Sequence, residues 1–451
     1  MVKAQIVSSS HAELCQKGMP PQIVALDKVP AGSVPPVLLQ LAARAPLPFD
    51  FPVHCGELWS QLFDHQKVGV QRIVHQYKGR CLLADEMGLG KTLQAIAVIL
   101  HFKVPTLVVC PAFLQTEWHR ALSKWNAHAT VCTYDKVSHS NVFDLVVVDE
   151  AHYIKSRESR RSREIVPLIL SASHALLMSG TPCPNRPEEL FNLLHSLRPN
   201  IIPDFVSFAT RYCKPRRTRY CSFDTRGSDR QTELAWLLNR AFQIRRTKAN
   251  VLAHLPNKTY QTLHVTADDA CVAEIALLKD RMTQALQKSS ALSQTLIMEM
   301  YRATCRAKLQ STVQLAATLI NGPTLMFAHH QVMLDAMEQQ LLEYRVARID
   351  GSMSIKKRQR VVDALQNNGL DAVVLSMAAA GVGLTLTNAV NAIFLEIPWN
   401  PGTLQQCEDR IHRIGQTKKC CIYYILADGT LDAYVWRTVH RKASMCTSLG
   451  L

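Results

Sequence analysis

Short apolar runs alternate with stretches of helical period along most of the chain. The runs predict buried strands in two groups: 80–84, 106–110, 131–134, 145–148 and 175–178, then 324–328, 347–349, 372–375, 392–395 and 422–426. Amphipathic helical patterns fill most of the gaps between them. Continuous buried strands separated by helices favour parallel sheets covered on both faces. The pattern therefore predicts an α/β fold with two parallel-sheet lobes.

The same pattern divides the chain into four parts. Residues 1–54 carry many prolines and little periodicity, which indicates an extended N-terminal arm. Residues 55–200 make the first lobe, and residues 311–451 make the second. Between them, residues 201–310 are dominated by helical patterns and are predicted to be a helical insertion and connector.

Composition and charge narrow the class of protein. Hydrophobic residues make up 47% of the 451 positions and charged residues 19%, as in a globular rather than a disordered protein. The formal net charge of +15 favours an anionic partner, and nucleic acid is the commonest one. A solvated basic surface would give the same total, so charge alone does not decide between the two.

Cysteine usage and hydropathy bear on the compartment. The 14 cysteines are scattered, form no Cys-x-x-Cys pair and mostly lie in apolar runs, so we expect a reduced intracellular protein without structural zinc. No apolar run approaches the roughly 18 residues of a membrane span. The N-terminus lacks the apolar core of a signal peptide. We expect a soluble protein.

A glycine-containing loop between a predicted strand and a predicted helix indicates a phosphate site. It runs Leu82-Leu83-Ala84-Asp85-Glu86-Met87-Gly88-Leu89-Gly90-Lys91-Thr92. Glycines let backbone N–H groups converge on phosphate oxygens, and the helix N-terminus adds a favourable dipole. Lys91 would contact the β- and γ-phosphates, and the Thr92 hydroxyl would ligate Mg²⁺. Asp85 stands where the general pattern has glycine, and the alternative is a chance glycine turn before a core helix.

An acidic pair follows the apolar run 146–148. Asp149 would bind Mg²⁺, directly or through water, and Glu150 would act as the base that orients the attacking water. Carboxylates at a strand end can also serve only as a helix N-cap. The glycine loop upstream favours the catalytic interpretation.

Two arginines of the second lobe complete the predicted chemistry. They lie in the stretch Gln406-Cys407-Glu408-Asp409-Arg410-Ile411-His412-Arg413-Ile414-Gly415-Gln416. On a helix, the i, i+3 spacing of Arg410 and Arg413 would point both side chains the same way. Two guanidiniums could stabilise charge on a transferring γ-phosphate, as arginine fingers do. A solvated basic helix face is the alternative.

Several stretches in this order resemble the motifs of superfamily 2 helicase-like motors, and in particular the Snf2 family. They are Asp85-Glu86-Met87-Gly88-Leu89-Gly90-Lys91-Thr92, Asp149-Glu150-Ala151-His152, Ser179-Gly180-Thr181-Pro182 and Asp409-Arg410-Ile411-His412-Arg413-Ile414-Gly415-Gln416. Phe327-Ala328-His329-His330 and Arg348-Ile349-Asp350-Gly351-Ser352 are most similar to the annealing-helicase, fork-remodelling branch. The resemblance covers roughly residues 58–442 and implies two RecA-like lobes that use ATP and Mg²⁺.

The resemblance also implies roles for single residues. Gln66 matches the glutamine that reads adenine, and the remaining nucleotide-binding positions are Asp85, Gly88, Leu89, Gly90, Lys91, Thr92, Gly383 and Gln406. Coupling of nucleotide state to the other lobe falls to His152, Ser179 and Thr181. Gly381, Gly383 and Thr385 match a second-lobe loop that touches nucleotide and DNA, and Pro111, Trp118 and Tyr134 fall in segments near the tracked strand. For each aromatic residue, a place in the core is the alternative.

Basic residues gather between positions 211 and 248, among them Arg216, Arg217, Arg245 and Arg246. They fit a duplex-DNA path, where Lys and Arg neutralise phosphates without reading bases. A solvated face of the insertion is the alternative.

We therefore expect a monomeric ATP-dependent translocase on double-stranded or forked DNA, which would also meet single-strand/double-strand junctions. It would be nuclear or otherwise intracellular with DNA, and so short a motor also fits a viral or microbial origin. A nucleosome or protein–DNA remodeller with the same motor is the first alternative. A DNA-binding scaffold with a vestigial ATPase is the second, and the intact Lys91, Asp149 and Glu150 argue against it.

Overall fold

Two compact units make up the chain in a computed structural model. The structure describes residues 3–15, 22–45, 47–137, 142–183, 185–218, 221–252, 255–285, 290–380 and 386–448. The first unit is Met1–Val251 with Ser444–Leu451, and the second is Leu252–Ala443. Each unit contains a six-stranded parallel sheet, so the predicted α/β fold with two RecA-like lobes is confirmed.

The strands of the first unit are β1 (Lys3–Ile6), β2 (His11–Cys15), β3 (Gln22–Ala25), β4 (Arg80–Leu83), β5 (Thr106–Cys110), β6 (Thr130–Thr133), β7 (Leu145–Asp149), β8 (His174–Met178) and β9 (Gln243–Ile244). Its helices are α1 (Pro36–Ala43), α2 (Leu58–Gln61), α3 (Asp64–Gln71), α4 (Lys91–Phe102), α5 (Gln115–Lys124), α6 (Arg160–Ser171), α7 (Phe191–Leu197), α8 (Phe205–Tyr212), α9 (Gln231–Leu237) and α10 (Lys248–Val251).

The six-stranded sheet of this unit has the order β6-β5-β7-β8-β4-β9. Successive residues of β7 alternate between two apolar clusters: Val146 and Val148 pack on one face, and Val147 packs on the other. A strand buried on both faces is apolar at every position, which is why the five-residue run 145–149 shows no polar alternation before its last residue.

The register of this sheet aligns three strand ends. Met178 at the end of β8 lies opposite Leu83 of β4 on one side and opposite Asp149 of β7 on the other. The segments that follow these strands therefore leave the same edge of the sheet side by side.

The N-terminal part of the chain corrects one prediction. Instead of an extended arm over residues 1–54, the structure contains the antiparallel sheet β1-β2-β3 and helix α1. Ile6 and Leu38 are buried in a cluster that includes residues of β4 and β7. The strands have four or five residues, too few to show a period, and Pro36 occupies the first helical turn, where proline is tolerated.

In the second unit the strands are β10 (Lys258–Val265), β11 (Thr324–Ala328), β12 (Val346–Ile349), β13 (Ala372–Ser376), β14 (Asn391–Phe394) and β15 (Cys420–Ala427). The helices are α11 (Asp269–Ala285), α12 (Ser290–Thr318), α13 (Gln331–Gln340), α14 (Ile355–Gln366), α15 (Met377–Ala380), α16 (Pro401–Glu408) and α17 (Asp432–Ser448). The sheet order is β10-β15-β14-β11-β13-β12.

All ten strands predicted from apolar runs are present, within one or two residues at their ends. Two strands of the six-stranded sheets, β9 and β10, were not predicted. Strand β10 pairs in parallel with β15 over eight residues, although it lies in the segment predicted to be a helical connector. Its residues are mostly exposed or half-buried, so its sequence has no apolar run. Strand β9 has only two residues.

Helix length and hydropathy also bear on membranes. Among the described residues, no helix is both long and apolar enough to cross a membrane.

Candidate active site

The loop between β4 and α4 adopts backbone angles that favour glycine. Gly88 has φ +85° and Gly90 has φ +74°, and α4 begins immediately after Gly90. The ammonium of Lys91 donates to the carbonyl oxygens of Asp85 at 2.8 Å and Glu86 at 3.4 Å. The lysine thus lies along a loop whose glycines allow the conformation that a phosphate site needs.

Gln66 packs against this loop. Its side chain is 1% exposed. Its Nε2 donates to the Leu89 carbonyl at 3.1 Å, and its Oε1 accepts from the Phe63 N–H at 3.0 Å. A Cβ atom at Gly90 would collide with the Gln66 side-chain amide, which would have to move, and the φ of +74° also favours glycine there. Gln66 is therefore beside the loop, and its reading of adenine stays a prediction.

Asp85, predicted to contact nucleotide, has a different position. It is fully buried, its Oδ1 accepts from Arg246 Nε at 2.9 Å, and its Oδ2 accepts from Gln94 Nε2 at 3.0 Å. The carboxylate therefore faces α4 and the segment after β9. Both carboxylate oxygens of Asp85 are thus bonded within the protein, and its contact with nucleotide stays a prediction.

The segment after β9 runs beside the loop. Glu86 N–H donates to the Arg246 carbonyl at 3.0 Å, and Lys248 N–H donates to Glu86 Oε2 at 2.7 Å. Arg245 Nη1 donates to the Ala84 carbonyl at 2.9 Å. Arg245 and Arg246, two of the four arginines predicted to bind DNA, thus hold the glycine loop in place, and the Arg246 side chain is only 14% exposed. For Arg246, the prediction of a DNA contact is corrected.

Asp149 lies at the buried end of β7 and is 8% exposed. Trp118 Nε1 donates to its Oδ2 at 2.9 Å, and the Glu150 N–H donates to its Oδ1 at 2.9 Å. Burial, and then the neighbouring negative charge of Glu150, raise the pKa of Asp149 to about 6, although the Trp118 bond and the Lys91 charge oppose this. The carboxylate is therefore crowded by like charge close to Lys91.

Trp118 and Tyr134 are buried behind the acidic pair, at 1% and 4% exposure. The Tyr134 hydroxyl donates to the carbonyl oxygens of Asp149 at 2.6 Å and Glu150 at 3.0 Å. The prediction that these aromatic side chains contact DNA is therefore corrected to the core alternative, because they leave no surface for a strand. Their position instead fixes the acidic pair.

Glu150 begins a chain of polar contacts that contains the three predicted coupling residues. Glu150 has φ +54°, a left-handed conformation rare outside glycine. Its Oε2 lies 3.3 Å from His152 Nδ1, which lies 3.1 Å from the Ser179 hydroxyl oxygen. Ser179 Oγ accepts from the Thr181 N–H at 3.2 Å. The structure thus brings His152, Ser179 and Thr181 together next to Glu150.

The residues present fit a bound Mg²⁺ ion. Thr92 lies half-buried in the first turn of α4, next to Lys91, whose charge acts on Asp149. A hydroxyl and a carboxylate are oxygen ligands of the kind that Mg²⁺ prefers. Burial, and then the negative charge of Glu150, raise the pKa of Asp149, and a divalent cation would offset that charge. Thr92 and Asp149 are thus suited to hold the ion.

In the second unit, Arg410 and Arg413 follow helix α16 instead of lying on it. The helix ends at Glu408, and the residues after it form successive turns. The argument from helical i, i+3 spacing is therefore wrong. Arg410 is 3% exposed, whereas Arg413 and Gln406 are half-buried. We call residues 409–416 the arginine loop.

Three anchors that motif spacing did not reveal hold the arginine loop. Glu408 accepts from Lys258 Nζ at 2.9 Å, Tyr260 OH at 3.1 Å and Tyr424 OH at 2.7 Å. His412 Nε2 donates to the Pro256 carbonyl at 2.8 Å. Gln416 Nε2 lies within 3.0 Å of the carbonyl oxygens of Thr387, Ala389 and Ile411. The only sequence signal for these contacts is the polarity of the motif itself.

The other predicted DNA contacts lie in different surroundings. Pro111 is buried at the end of β5, and Arg216 and Arg217 are exposed after α8. Gly381, Gly383 and Thr385 lie outside the described residues.

Comparison with known proteins identifies the family. Residues 65–143 and 130–304 match the SNF2-related domain, and residues 307–415 match the helicase conserved C-terminal domain. The chain is 34% identical over 432 residues to SWI/SNF-related matrix-associated actin-dependent regulator of chromatin subfamily A-like protein 1 of Xenopus tropicalis, covering 88% of this chain and 46% of that protein. It is 35% identical over 441 residues to DNA annealing helicase and endonuclease ZRANB3 of Mus musculus, covering 87% and 41%.

The chain spans about half the length of the curated relatives it matches. Among solved structures, the Sulfolobus solfataricus SWI2/SNF2 ATPase core in complex with double-stranded DNA covers 88% of this chain at 22% identity, with a TM-score of 0.42. The SNF2-related domain match covers more than half of the chain, which therefore belongs to the SNF2-related family.

Proposed function

We propose that the chain is an ATP-dependent translocase on double-stranded DNA that remodels forked or branched DNA and promotes strand annealing. The observation that carries the proposal is the shared register of β4, β7 and β8, which gathers the glycine loop, the acidic pair and Ser179 at one sheet edge. Relatives named as an annealing helicase and as a chromatin regulator support the choice of DNA as the track. The net charge of +15 also suits a polyanion.

Each residue of the site has a part in the proposed hydrolysis. Lys91 and the backbone N–H groups of the glycine loop bind the phosphates of ATP. Thr92 and Asp149 would hold Mg²⁺, which would neutralise phosphate charge. Glu150 orients the attacking water, and Arg410 and Arg413 stabilise the charge that develops on the transferring phosphoryl group.

The polar contacts that begin at Glu150 link the proposed catalytic base to the residues after β8. His152 lies between the carboxylate of Glu150 and the hydroxyl of Ser179, so a change of charge at Glu150 alters the bond that Ser179 makes. The Thr181 N–H also donates to the Ser179 hydroxyl oxygen, so hydrolysis would change the hydrogen bonds of residues 179–181. We infer that this segment couples nucleotide state to movement on DNA.

The test is ATP turnover measured alone and with single-stranded, duplex, forked and nucleosomal DNA. Duplex or forked DNA should raise turnover, and Lys91→Ala should abolish it because the phosphate cradle loses its cation. If no DNA raises turnover, the proposal fails. Stimulation by nucleosomes well beyond naked DNA would favour a protein–DNA remodeller instead.

A further inference from the structure

A cavity in the first unit lies away from the strand ends that carry the glycine loop. It has a volume of about 430 Å³ and is lined by α1 and the residues after it, residues 76–77, residues 198–201 and residues 240–241. Residues 76–77 precede β4, so the cavity is at the amino ends of the strands, whereas the glycine loop follows the carboxyl end. Sites for small molecules are about 300–1,000 Å³, so the cavity has the size of a ligand site.

The cavity carries a concentration of positive charge. Arg44, Arg198 and Arg240 line it, and among its described lining residues none is acidic. Arg80 lies directly beside this group, since its carbonyl accepts from Arg198 Nη2 at 3.3 Å. Burial and the charge of Arg198 lower the pKa of Arg80, and burial lowers the pKa of Arg198. The guanidiniums of Arg80 and Arg198 therefore repel each other.

Two of these guanidiniums are fixed in orientation. Arg198 donates from Nε to the Ala241 carbonyl at 2.9 Å and from Nη2 to the Tyr77 carbonyl at 3.2 Å. Arg240 donates from Nε and Nη2 to the Leu41 carbonyl, both at 3.2 Å. The bonds to described residues thus use Nε and Nη2 of both side chains, which leaves Nη1 of each for a ligand. Donors held in advance lose little entropy on binding.

The rest of the lining suits the body of an organic molecule. Val37 and Ile201 supply apolar surface, and Gln40 and Asn200 supply amide groups that donate and accept hydrogen bonds. Arginine forks match the geometry of phosphate oxygens. A dianion is the simplest complement to three cations in a cavity whose described lining contains no acidic side chain.

We propose that this cavity binds a small phosphorylated organic molecule, with its phosphate on Arg44, Arg198 and Arg240 and its body against Val37 and Ile201. The site is separate from the nucleotide loop and does not depend on the proposed function.

The experiment uses the full chain carrying Lys91→Ala, so that the nucleotide loop does not contribute. Binding of glucose 6-phosphate and inorganic phosphate is measured by calorimetry and by the shift in thermal midpoint, with glucose as the uncharged probe. The double variant Arg44→Gln with Arg240→Lys removes one positive charge and replaces one guanidinium by an ammonium, so a cation remains near α1. Arg437→Gln, an exposed arginine of α17 in the other unit, is the matched control.

We expect saturable binding of glucose 6-phosphate, weaker binding of phosphate and none of glucose. The double variant should bind on the order of tenfold more weakly or worse, since bonds to charged groups are lost, while the control binds as before. Equal binding by the double variant overturns the proposal, and so does the absence of binding by both phosphate probes. If only duplex DNA binding weakens in the double variant, the cavity serves DNA and the proposal also fails. Arg44→Gln alone removes no side-chain hydrogen bond within the described residues, so it should weaken phosphate binding without lowering the thermal midpoint. Unchanged binding by this variant and by the double variant overturns the proposal.

Discussion

Trp118 holds one oxygen of Asp149 and so sets the acidity of the proposed Mg²⁺ ligand. A bond donated to the charged form favours that form, so the indole keeps the pKa of Asp149 from rising further. The pKa of about 6 lies above the ordinary value for an unfolded chain, so Asp149 opposes folding as pH rises through 6. Bound Mg²⁺ would reverse this effect.

The first prediction concerns pH. Mg²⁺ needs the ionised carboxylate, so without competing effects its affinity should fall as pH drops through about 6 and level off above it. Trp118→Phe removes the donor and should move this midpoint upward by about one pH unit. Mg²⁺ titrations of ATP turnover between pH 5.5 and 8.5 measure it, with Trp125→Phe as the control. An unchanged midpoint would show that the indole does not act on Asp149.

The second prediction concerns the buried pair of Asp85 and Arg246. Arg246→Ala leaves a fully buried carboxylate without its charge partner and should lower the free energy of unfolding by about 3–5 kcal/mol. Denaturant unfolding measures the loss, and Arg216→Ala, at an exposed arginine, should change it by less than about 0.5 kcal/mol.

The double variant Asp85→Leu with Arg246→Met supplies the contrast. It should regain most of the loss, because neither charge then remains buried. If Arg246→Ala were as stable as the unaltered chain but bound DNA poorly, the DNA contact predicted from the sequence would be reinstated.

At the scale of elements, strand β10 and strand β15 support the arginine loop through Glu408. Tyr260 and Lys258 come from one strand and Tyr424 from the other, and all three donate to the same carboxylate. The charge of Glu408 raises the pKa of Lys258 above its ordinary value, although burial acts in the opposite direction. Lys258 is therefore charged at neutral pH.

The third prediction separates nucleotide binding from hydrolysis. Lys258→Met leaves Glu408 with only its tyrosine donors and should loosen the arginine loop. We expect kcat to fall about tenfold while nucleotide affinity, measured with a non-hydrolysed analogue, changes little, because the loop is proposed to act on the developing charge. Lys279→Met, on the exposed face of α11, is the control. Equal losses in affinity and kcat would count against this role.

The strands and the nucleotide loop could be predicted because their causes are local. An apolar run such as 145–148 needs no partner to be recognised, and the Gly88 and Gly90 conformations follow from residue type. By contrast, Asp85 bonds to Arg246, which lies 161 positions further along the chain. Trp118 bonds to Asp149, which lies 31 positions further along. Such pairs depend on how the strands order in the sheet, which periodicity does not specify. Strand β10 could not be predicted from apolar runs, because its side chains are mostly exposed or half-buried.

At the scale of the whole molecule, the N-terminal segment is part of the first unit. Glu233 is fully buried and accepts from the Ile6 N–H at 2.9 Å, from the Tyr212 hydroxyl at 2.9 Å and from both sides of the Arg211 guanidinium. The segment thus completes a polar network inside the unit as well as its apolar core.

The fourth prediction follows from that network. Deleting residues 1–45 should lower the thermal midpoint of unfolding and raise the binding of a dye specific for apolar surface, because residues now packed against Ile6 and Leu38 become exposed. Scanning calorimetry and dye fluorescence measure both effects. A truncated chain with an unchanged midpoint would show that the segment is a separable arm after all.

Strand β8 has a consequence for how the chain can change over time. Met178 is aligned with both Leu83 and Asp149. The length of β8 therefore sets where Ser179 lies relative to the segments that follow β4 and β7. Exchanging one apolar side chain of β8 for another leaves this alignment unaltered. Inserting or deleting a single residue between His174 and Met178 would shift Ser179 along the sheet and turn the remaining side chains to the opposite face. Over time, β8 should therefore accept substitutions of one apolar residue for another but no insertion or deletion.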